Sequence, residues 1–409
     1  MLDVVRLFDR LLVTVESTDR LMGCEACGTR ASIKDRDRVD LADLPAFGSP
    51  VTLVWLKRRW RCGDPDCEVG TWTEDHPDIA PARATMTRRA GVWATTQVGR
   101  HVHSVSWAAR ELGVAWHTVM DAVTLWGTAL VEHPDPVGAT KAIGVDETSF
   151  LAATASESTR WVSSICDVEG RRVIDLIEGR GASDLDRWLT KQSEEWKEAV
   201  KVTVSDLHEP FRAALKAHLP DASAVADPFH VVAVGTRCVD ATRRRVQNET
   251  LGHRGRKGDP LYRCRKLLAM AEERLDEATT TKLRGLLAAG DPEGHVGEAR
   301  MARDCLRDLY TLYGNAELAG RWIDGIIDDC VEAEAKEVRG MARTLKCWRS
   351  QILAWHTTGA TNGPTEGLNS IIKKVKRVGA GFRSFANYRL RILLAVGGCN
   401  WSLLDFAPR

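Results

Sequence analysis

The chain has no run near the about 18 unbroken apolar residues that a membrane helix needs, which excludes a spanning helix. A signal-peptide start is missing too. MLDVVRLFDRLL carries acidic and basic residues inside its apolar stretch. It reads instead as a short amphipathic helix with Val4, Val5, Phe8, Leu11 and Leu12 on one face. Excess charge of either sign is also absent. Lys and Arg number 57 against 56 Asp and Glu, a formal net charge of +1, so the chain is not a general polycation. Without a secretory signal, the 11 cysteines are not expected to form disulfides. These absences point to a cytosolic protein. At 409 residues it should hold roughly two or three domains.

What the chain does have is concentrated. From Ser370 to Arg391 there are seven basic residues and no acidic one, and from Arg237 to Arg265 nine basic against three acidic. Basic segments in a neutral chain fit an enzyme that acts on DNA. Seven cysteines are scattered and read as buried or free thiols. The other four cluster as Cys24-Glu-Ala-Cys27 and, 34 residues later, Cys62-Gly-Asp-Pro-Asp-Cys67. Each pair suits a tight turn that aims two thiolates at one ion, and PVTLVWLKRRWRC between them alternates as a strand does. Four sulfurs leave no open position, so this spacing predicts one structural Zn²⁺. The arginines and lysine of LKRRWR are candidate phosphate contacts.

Residues 85–127 read as helices. Within SVSWAARELGVAWHTVMDAVTLWG, Ala109 is small enough for a close crossing, Gly113 suits the turn and Val119 packs back on the first helix, as in a helix-turn-helix. The second helix should begin near Ala115 and present Trp116, His117 and Thr118 as base-reading residues. EHPDPVGAT then marks a boundary near 132–140. Beyond it, KAIGVDETSF, RWVSSICDVEG and RRVIDLIEGR read as three successive strands. SDLDRWLTKQSEEWKEAV reads as one helix, VKVTVSD as a buried strand and EPFRAALKAHLP as a helix. SAVADPFHVV reads as a fifth strand leading into a basic helix that carries Arg243, Arg244 and Arg245. This order matches a ribonuclease H-like α/β fold. Residues 250–355 carry no clear strand signal and read as a charged helical insertion.

Three carboxylates stand out against that frame. Asp146 and Asp206 end strand-like runs that this fold sets side by side, and Glu366 opens the helix of TNGPTEGLNSIIKKVKR. Such a trio suits two Mg²⁺ or Mn²⁺ ions and phosphodiester chemistry. Along the last helix Glu366, Asn369, Lys373 and Lys376 recur on one stripe, with Leu368, Ile371, Ile372 and Val375 on another. Lys373, Lys374, Lys376 and Arg377 would therefore hold a DNA backbone over the ions. Asp227, at the end of the fifth strand, and His230, one helical turn beyond, are candidates for support behind the metal ligands. Trp355 is a candidate for base stacking.

The blocks DLPAFGSPVTLVWLKRRWRC, WTEDHP, GVDETSF, VSDLHEPFRAALKAHLPDASAVADPFHVV and NGPTEGLNSIIKKVKRVGAGFRSFANYRLRILL together resemble the ISL-three family of bacterial insertion-sequence transposases. The resemblance implies an Asp-Asp-Glu triad at Asp146, Asp206 and Glu366, and zinc ligands at Cys24, Cys27, Cys62 and Cys67. It implies a multidomain α+β chain. Residues 1–80 would form a zinc-ribbon-like module, 81–135 a helix-turn-helix domain and 140–249 the first part of a ribonuclease H-like core. Residues 250–355 would be the insertion and 356–409 the last part of the core. The expected activity is metal-dependent cleavage and strand transfer at terminal inverted repeats. The expected partners are double-stranded DNA, both element ends and target, and a second copy of the chain in a homodimer or larger assembly. The expected place is the bacterial cytosol, on the nucleoid. A DNA-binding regulator without chemistry, or a nuclease that cuts but does not join, would share many of these features.

Overall fold

The computed structural model describes residues 1–18, 21–132 and 140–404. The chain divides into two compact units, Met1–Pro136 with Arg172–Asp175 and Asn369–Arg409, and Val137–Arg171 with Leu176–Leu368. The boundary expected near 132–140 falls largely on residues 133–139, outside the described residues.

In the first unit, strands β1 (Asp3–Arg6), β2 (Leu11–Glu16), β3 (Ser32–Ala46), β4 (Ser49–Arg61) and β5 (Thr71–Thr73) form one sheet in the order β1-β2-β4-β3, with β5 also on β4. The N-terminal segment is therefore a hairpin and not the amphipathic helix expected. Leu-Leu-Val-Thr-Val-Glu is dense in β-branched residues, and its pairing beside β4 overrides a helical spacing that the same apolar positions also satisfy. The β3–β4 hairpin turns on Phe47 and Gly48, both with positive φ, as a two-residue turn of this twist requires. Trp55, Leu41 and Leu53 fill the core on this sheet. Three helices follow, α1 (Arg88–Gly99), α2 (Val105–Leu112) and α3 (Trp116–Glu132). Thr87 and Ser104 cap the first two through side-chain oxygens, and Gly113, left-handed at φ 66°, ends α2 three residues before α3. Ala109 and Val119 are buried at that crossing, as their spacing requires.

A second sheet is formed by β6 (Ala142–Leu151), β7 (Arg160–Asp167), β8 (Arg172–Glu178), β9 (Val202–Ser205) and β10 (Ser223–Ala226), in the order β10-β9-β6-β7-β8, all in the second unit except the Arg172–Asp175 part of β8. β6 runs antiparallel to β7 and parallel to β9, and β9 runs parallel to β10. α4 (Ala182–Leu189) and α5 (Glu194–Ala199) replace the single helix expected there. The break falls at Thr190–Ser193, where the Ser193 hydroxyl accepts the Trp196 N–H and starts a new helix. α6 (Glu209–His218) joins β9 to β10, and α7 (Pro228–Leu251) leaves β10 at once. α8 (Pro260–Arg263), α9 (Arg265–Ala269), α10 (Glu277–Gly290), α11 (His295–Leu309), α12 (Ala316–Glu332) and α13 (Lys336–Thr358) follow, with no strand among them. The core they share with α7 includes Val231, Leu306, Ile323, Leu345 and Ile352. α14 (Gly363–Val378) and α15 (Phe385–Val396) close the chain, and Leu390 and Leu394 of α15 pack with α1–α3 in the first unit.

One close approach seats the start of α14. A Cβ on Gly144 of β6 would collide with Thr365 Oγ1 and come within 3.1 Å of Asn362 Oδ1. Gly144→Ala should therefore cost about 1–3 kcal/mol of unfolding free energy. Chemical denaturation measures this, and an unchanged midpoint would mean that α14 shifts without penalty.

Candidate functional site

The β6–β9 register builds the site. Val145 lies opposite Ser205, so Asp146 and Asp206, the next residues of two parallel neighbours, emerge side by side. Adjacent strands lie about 4.8 Å apart, which brings their carboxyl groups together. Glu366 reaches the same place from the first turn of α14. The link is His230, whose Nε2 lies 3.0 Å from Asp206 Oδ1 and 3.3 Å from Glu366 Oε1. The structure thus brings Asp206, Glu366 and His230 within contact, with Asp146 next to Asp206.

Asp227 lies behind this group and is only 3% exposed. Its backbone N–H donates to Ser205 O at 3.3 Å, tying the ends of β9 and β10. Its Oδ2 accepts the Phe229 and His230 N–H groups at 3.0 and 3.4 Å, capping α7. Its Oδ1 accepts the Asn362 N–H at 2.7 Å. Asn362, fully buried, donates from Nδ2 to Asp206 Oδ1 at 3.2 Å, and its carbonyl accepts the Glu366 N–H at 2.9 Å. One ligand atom each from Asp227, His230 and Glu366 falls within 4.8 Å of the others. Both Asp227 oxygens are already engaged by N–H donors, so this residue is better suited to holding the group than to binding an ion.

The electrostatics fit a cation. Burial pushes the Asp206 carboxyl up to about 7, against the pull of His230, and the nearby charges of Asp146 and Asp227 add to the rise. Asn362 Oδ1 is buried with no hydrogen-bond partner among the described residues. Crowded carboxylates are the hard donors that a divalent ion takes. Two neighbours were not apparent from the sequence. Asn362 looks like an ordinary turn residue in TNGP, and only a buried asparagine just before a helix hints at more. Phe229 is 68% exposed with its ring edge-on to His230, centroids 5.4 Å apart.

The four clustered cysteines converge in the first unit. Cys24 and Cys27 share a turn closed by Gly28 N–H on Cys24 O, and Cys62 directly follows β4. Cys24 Sγ is 3.7 Å from Cys67 Sγ, Cys27 Sγ is 3.4 Å from Cys62 Sγ, and all four lie within 4.8 Å of one another. A tetrahedral zinc with Zn–S near 2.3 Å separates its sulfurs by about 3.8 Å, so the donor set fits a structural zinc.

The remaining candidates divide by exposure. Trp116 (49% exposed) and His117 stand out from the start of α3, while Thr118 is half-buried. Of the arginines in LKRRWR, Arg58 is buried and committed to Glu16 at 2.9 Å, and Lys57 lies over the Trp55 ring. Arg243 is buried on Asp240 and Gln247, and Arg245 is held by Glu337 and Glu249, so neither offers a free guanidinium; Arg244 stays exposed while pairing with Asp240. On α14, Lys373, Lys374 and Arg377 are exposed and Lys376 half-buried. Asn369 is buried, so the exposed stripe runs Glu366, Ser370, Lys373, Arg377 and not through Asn369. Ile371, expected on the apolar stripe, is partly exposed. Trp355 is engaged with Tyr310, Tyr313 and His356, which leaves its ring little freedom to stack on a base.

The ISL3 transposase family matches residues 143–392. The zinc-finger family of transposases IS204/IS1001/IS1096/IS1165 matches residues 20–67. Over nearly its whole length the chain is similar to the transposase for insertion sequence element IS1001 of Bordetella parapertussis, 25% identical over 95% of this chain and 92% of that protein. It is 24% identical to the transposase for insertion sequence element IS1557 of Mycobacterium tuberculosis, over 89% of this chain and 83% of that one. Among solved structures, the Drosophila P element transposase strand transfer complex aligns with 76% of this chain and 92% of that chain, at 12% identity and a TM-score of 0.38.

Two outcomes follow from this geometry. Cys62→Ser should lower bound zinc from one equivalent per chain towards zero and melt the first 80 residues, since zinc supplies about 10–16 kcal/mol to such modules. Metal analysis with limited proteolysis checks it. Asp206 has a folded pKa near 7, above its ordinary 3.8, so its contribution to stability is complete below about pH 4 and is lost as pH rises through 7. Without added Mg²⁺ or Mn²⁺, Asp206→Asn should therefore melt higher than wild type at pH 8, and the gap should close towards pH 4. A gap independent of pH would remove the electrostatic account.

Proposed function

The chain belongs to the ISL3 family of transposases, and from that premise we propose that it cuts and joins DNA by an Asp-Asp-Glu mechanism at the terminal inverted repeats of its element. Enzymes of this class are DNA-cutting and joining enzymes; the catalytic trio is our reading for this chain. We assign it to Asp146, Asp206 and Glu366. The observation that carries the assignment is their convergence: Asp146 beside Asp206 by strand register, and Asp206 bridged to Glu366 through His230.

The strand order β10-β9-β6-β7-β8 supports a ribonuclease H-like core, since β10, β9 and β6 run parallel to one another and β7 adds antiparallel on the other side of β6. On that reading α8–α13 are a helical insertion placed before the element that carries Glu366. Asp146, Asp206 and Glu366 would hold two Mg²⁺ or Mn²⁺ ions, which when bound supply activation of the attacking oxygen and neutralisation of the leaving one. The chain's own part is placement. Asp206 projects from the end of β9, while Asp146 lies within β6, which continues to Leu151 and does not end there as its sequence pattern suggests; the sheet keeps both rigid. The third rides on a helix whose start is tied to Asp227 and Asn362. His230 orients Asp206 and Glu366 by hydrogen bonding to them, so Asp227 and His230 support the ligands from behind. Cleavage and joining can use one such site, because only the attacking hydroxyl changes.

The zinc module and the α2–α3 pair would bind the element ends, with Trp116, His117 and Thr118 at the start of α3 reading bases. Lys373, Lys374, Lys376 and Arg377 would hold the backbone beside Glu366 on the same helix. Joining two ends calls for a homodimer or larger assembly on DNA. No helix among the described residues is long and apolar enough to cross a membrane. We place the protein on the nucleoid of a bacterial cytosol.

Purified wild type and Glu366→Gln should be compared on a labelled duplex of the element end with Mg²⁺ or Mn²⁺. Joined products from wild type, with a loss of at least 10³-fold in the variant, are expected if one ligand of the catalytic ion is removed. Tight end-binding with neither cleavage nor joining by wild type would instead make the chain a regulator. Cleavage without joining would make it a nuclease.

A further inference from the structure

Helix α7 starts at the carboxylate group and carries a second basic feature away from it. His230, Arg237 and Arg244 are spaced i, i+7 and i+14, so they share one face of the helix. Arg237 and Arg244 open into a cleft of about 490 Å³ between α7 and α9. Its α7 wall also includes Thr236, Val239, Asp240 and Arg243, and its α9 wall Arg265, Leu268 and Ala269. Four arginines and one carboxylate give this cleft a formal charge of +3, in a chain whose whole net charge is +1.

The single carboxylate is already in use. Asp240 Oδ1 accepts from Arg243 at 2.6 and 3.2 Å, and Oδ2 pairs with Arg244 at 2.6 Å. Arg243 also donates to Gln247 and is buried, so it holds Asp240 in place from within the protein. Arg244 is thereby oriented but still half-exposed. Arg265 donates to the Tyr262 carbonyl at 2.7 Å, and its guanidinium lies 4.0 Å over the Tyr262 ring. Arg237 is exposed and has no partner among the described residues. Two held guanidinium groups, Arg244 and Arg265, and the exposed Arg237 line one concave space with a single acidic neighbour, an arrangement suited to phosphate oxygens.

We propose that this cleft binds the phosphodiester backbone of a DNA duplex that runs from the carboxylate group along α7. The proposal rests on the DNA-joining reading above and extends it to the flank of the reacting phosphate. Seven helical residues advance about 10 Å. One strand advances about 3.4 Å per base step, so Arg237 stands about three steps and Arg244 about six steps from the level of His230. The cleft therefore sets a minimum length of duplex on one side of the cut. The sequence drew attention to the consecutive arginines of α7, but their side chains fan around the helix. The phosphate-facing set is instead one arginine per two turns, completed by Arg265 from another helix.

The test uses the full-length protein and a variant with Arg237→Ala, Arg244→Ala and Arg265→Ala, all on exposed positions. Binding to the element end is measured against salt, with duplexes keeping twelve base pairs or only two beyond the cut on each side in turn. On the long duplex the variant should bind at least 10-fold more weakly at 0.1 M salt, with a log–log salt slope lower by about 2–3. On one of the two truncated duplexes wild type and variant should become equal. The matching triple lysine variant should restore most of the slope. An unchanged slope, or an equal loss on both truncated duplexes, would overturn the proposal. So would loss of inorganic phosphate binding with no change in DNA binding, because the cleft would then serve a free anion. Cleavage by wild type is scored in parallel. If it fails while the binding pattern holds, the catalytic reading falls and the cleft assignment stands.

Discussion

The buried carboxylate of Asp227 is the constraint on which the candidate site depends. It accepts the N–H groups that open α7 and the N–H that precedes α14, and its own N–H bonds the end of β9. Three separate stretches of chain are fixed to one another through a group 3% exposed to water. A buried carboxylate is costly unless such donors satisfy it. Here the donors are backbone groups at the starts of two helices, which are orphaned by helix geometry and need acceptors anyway. Both sides of the bargain are met at one residue, and the positions of His230 and Glu366 follow from it.

The site held this way is electrostatically uncomfortable. Asp206 is pushed up to about 7 by its burial and by the carboxylates around it, and the His230 ring between Asp206 and Glu366 offsets only part of this. Such a group is stable only because the sheet and helices that carry it gain far more from packing than the site loses. The rigid pairing of β6 with β9 and the tight seat of Thr365 against Gly144 keep the carboxylates from separating to relieve their repulsion. The first unit meets a different shortage. Its hairpins carry exposed apolar side chains such as Phe8 and Val4, and the four converging thiols are a donor set that fits a structural zinc beside the turns that carry them.

Charge follows the same division of labour. A net charge of +1 conceals basic residues of two kinds, and the structure separates them. Arg58, Arg243, Arg245 and Arg303 lie inside the protein, bonded to carboxylates or carbonyls, where they hold elements together. Arg237, Arg244, Lys373, Lys374 and Arg377 remain at the surface. Adjacent arginines on a helix point in different directions, so a basic run is not a basic face.

Much of this was legible in the chain itself. Strand patterns around Asp146 and Asp206, the helix start at Glu366, the Asp227–His230 spacing and the paired cysteines are local signals, because alternation, capping and turn chemistry act over a few residues. The order of strands then placed Asp146 beside Asp206, which the register bears out. The N-terminal hairpin was not legible, since its apolar spacing fits a helix and only the neighbouring β4 selects a strand. The break between α4 and α5 turned on a single serine cap. Asn362, Phe229 and Arg265 gained their significance from contacts across long sequence distances, and the burial of Asn369 and Arg243 came the same way. Residue types and local spacing thus determined which groups are available for chemistry. Only tertiary packing decided which of them meet, because burial and long-range hydrogen bonds depend on partners that the local sequence does not contain.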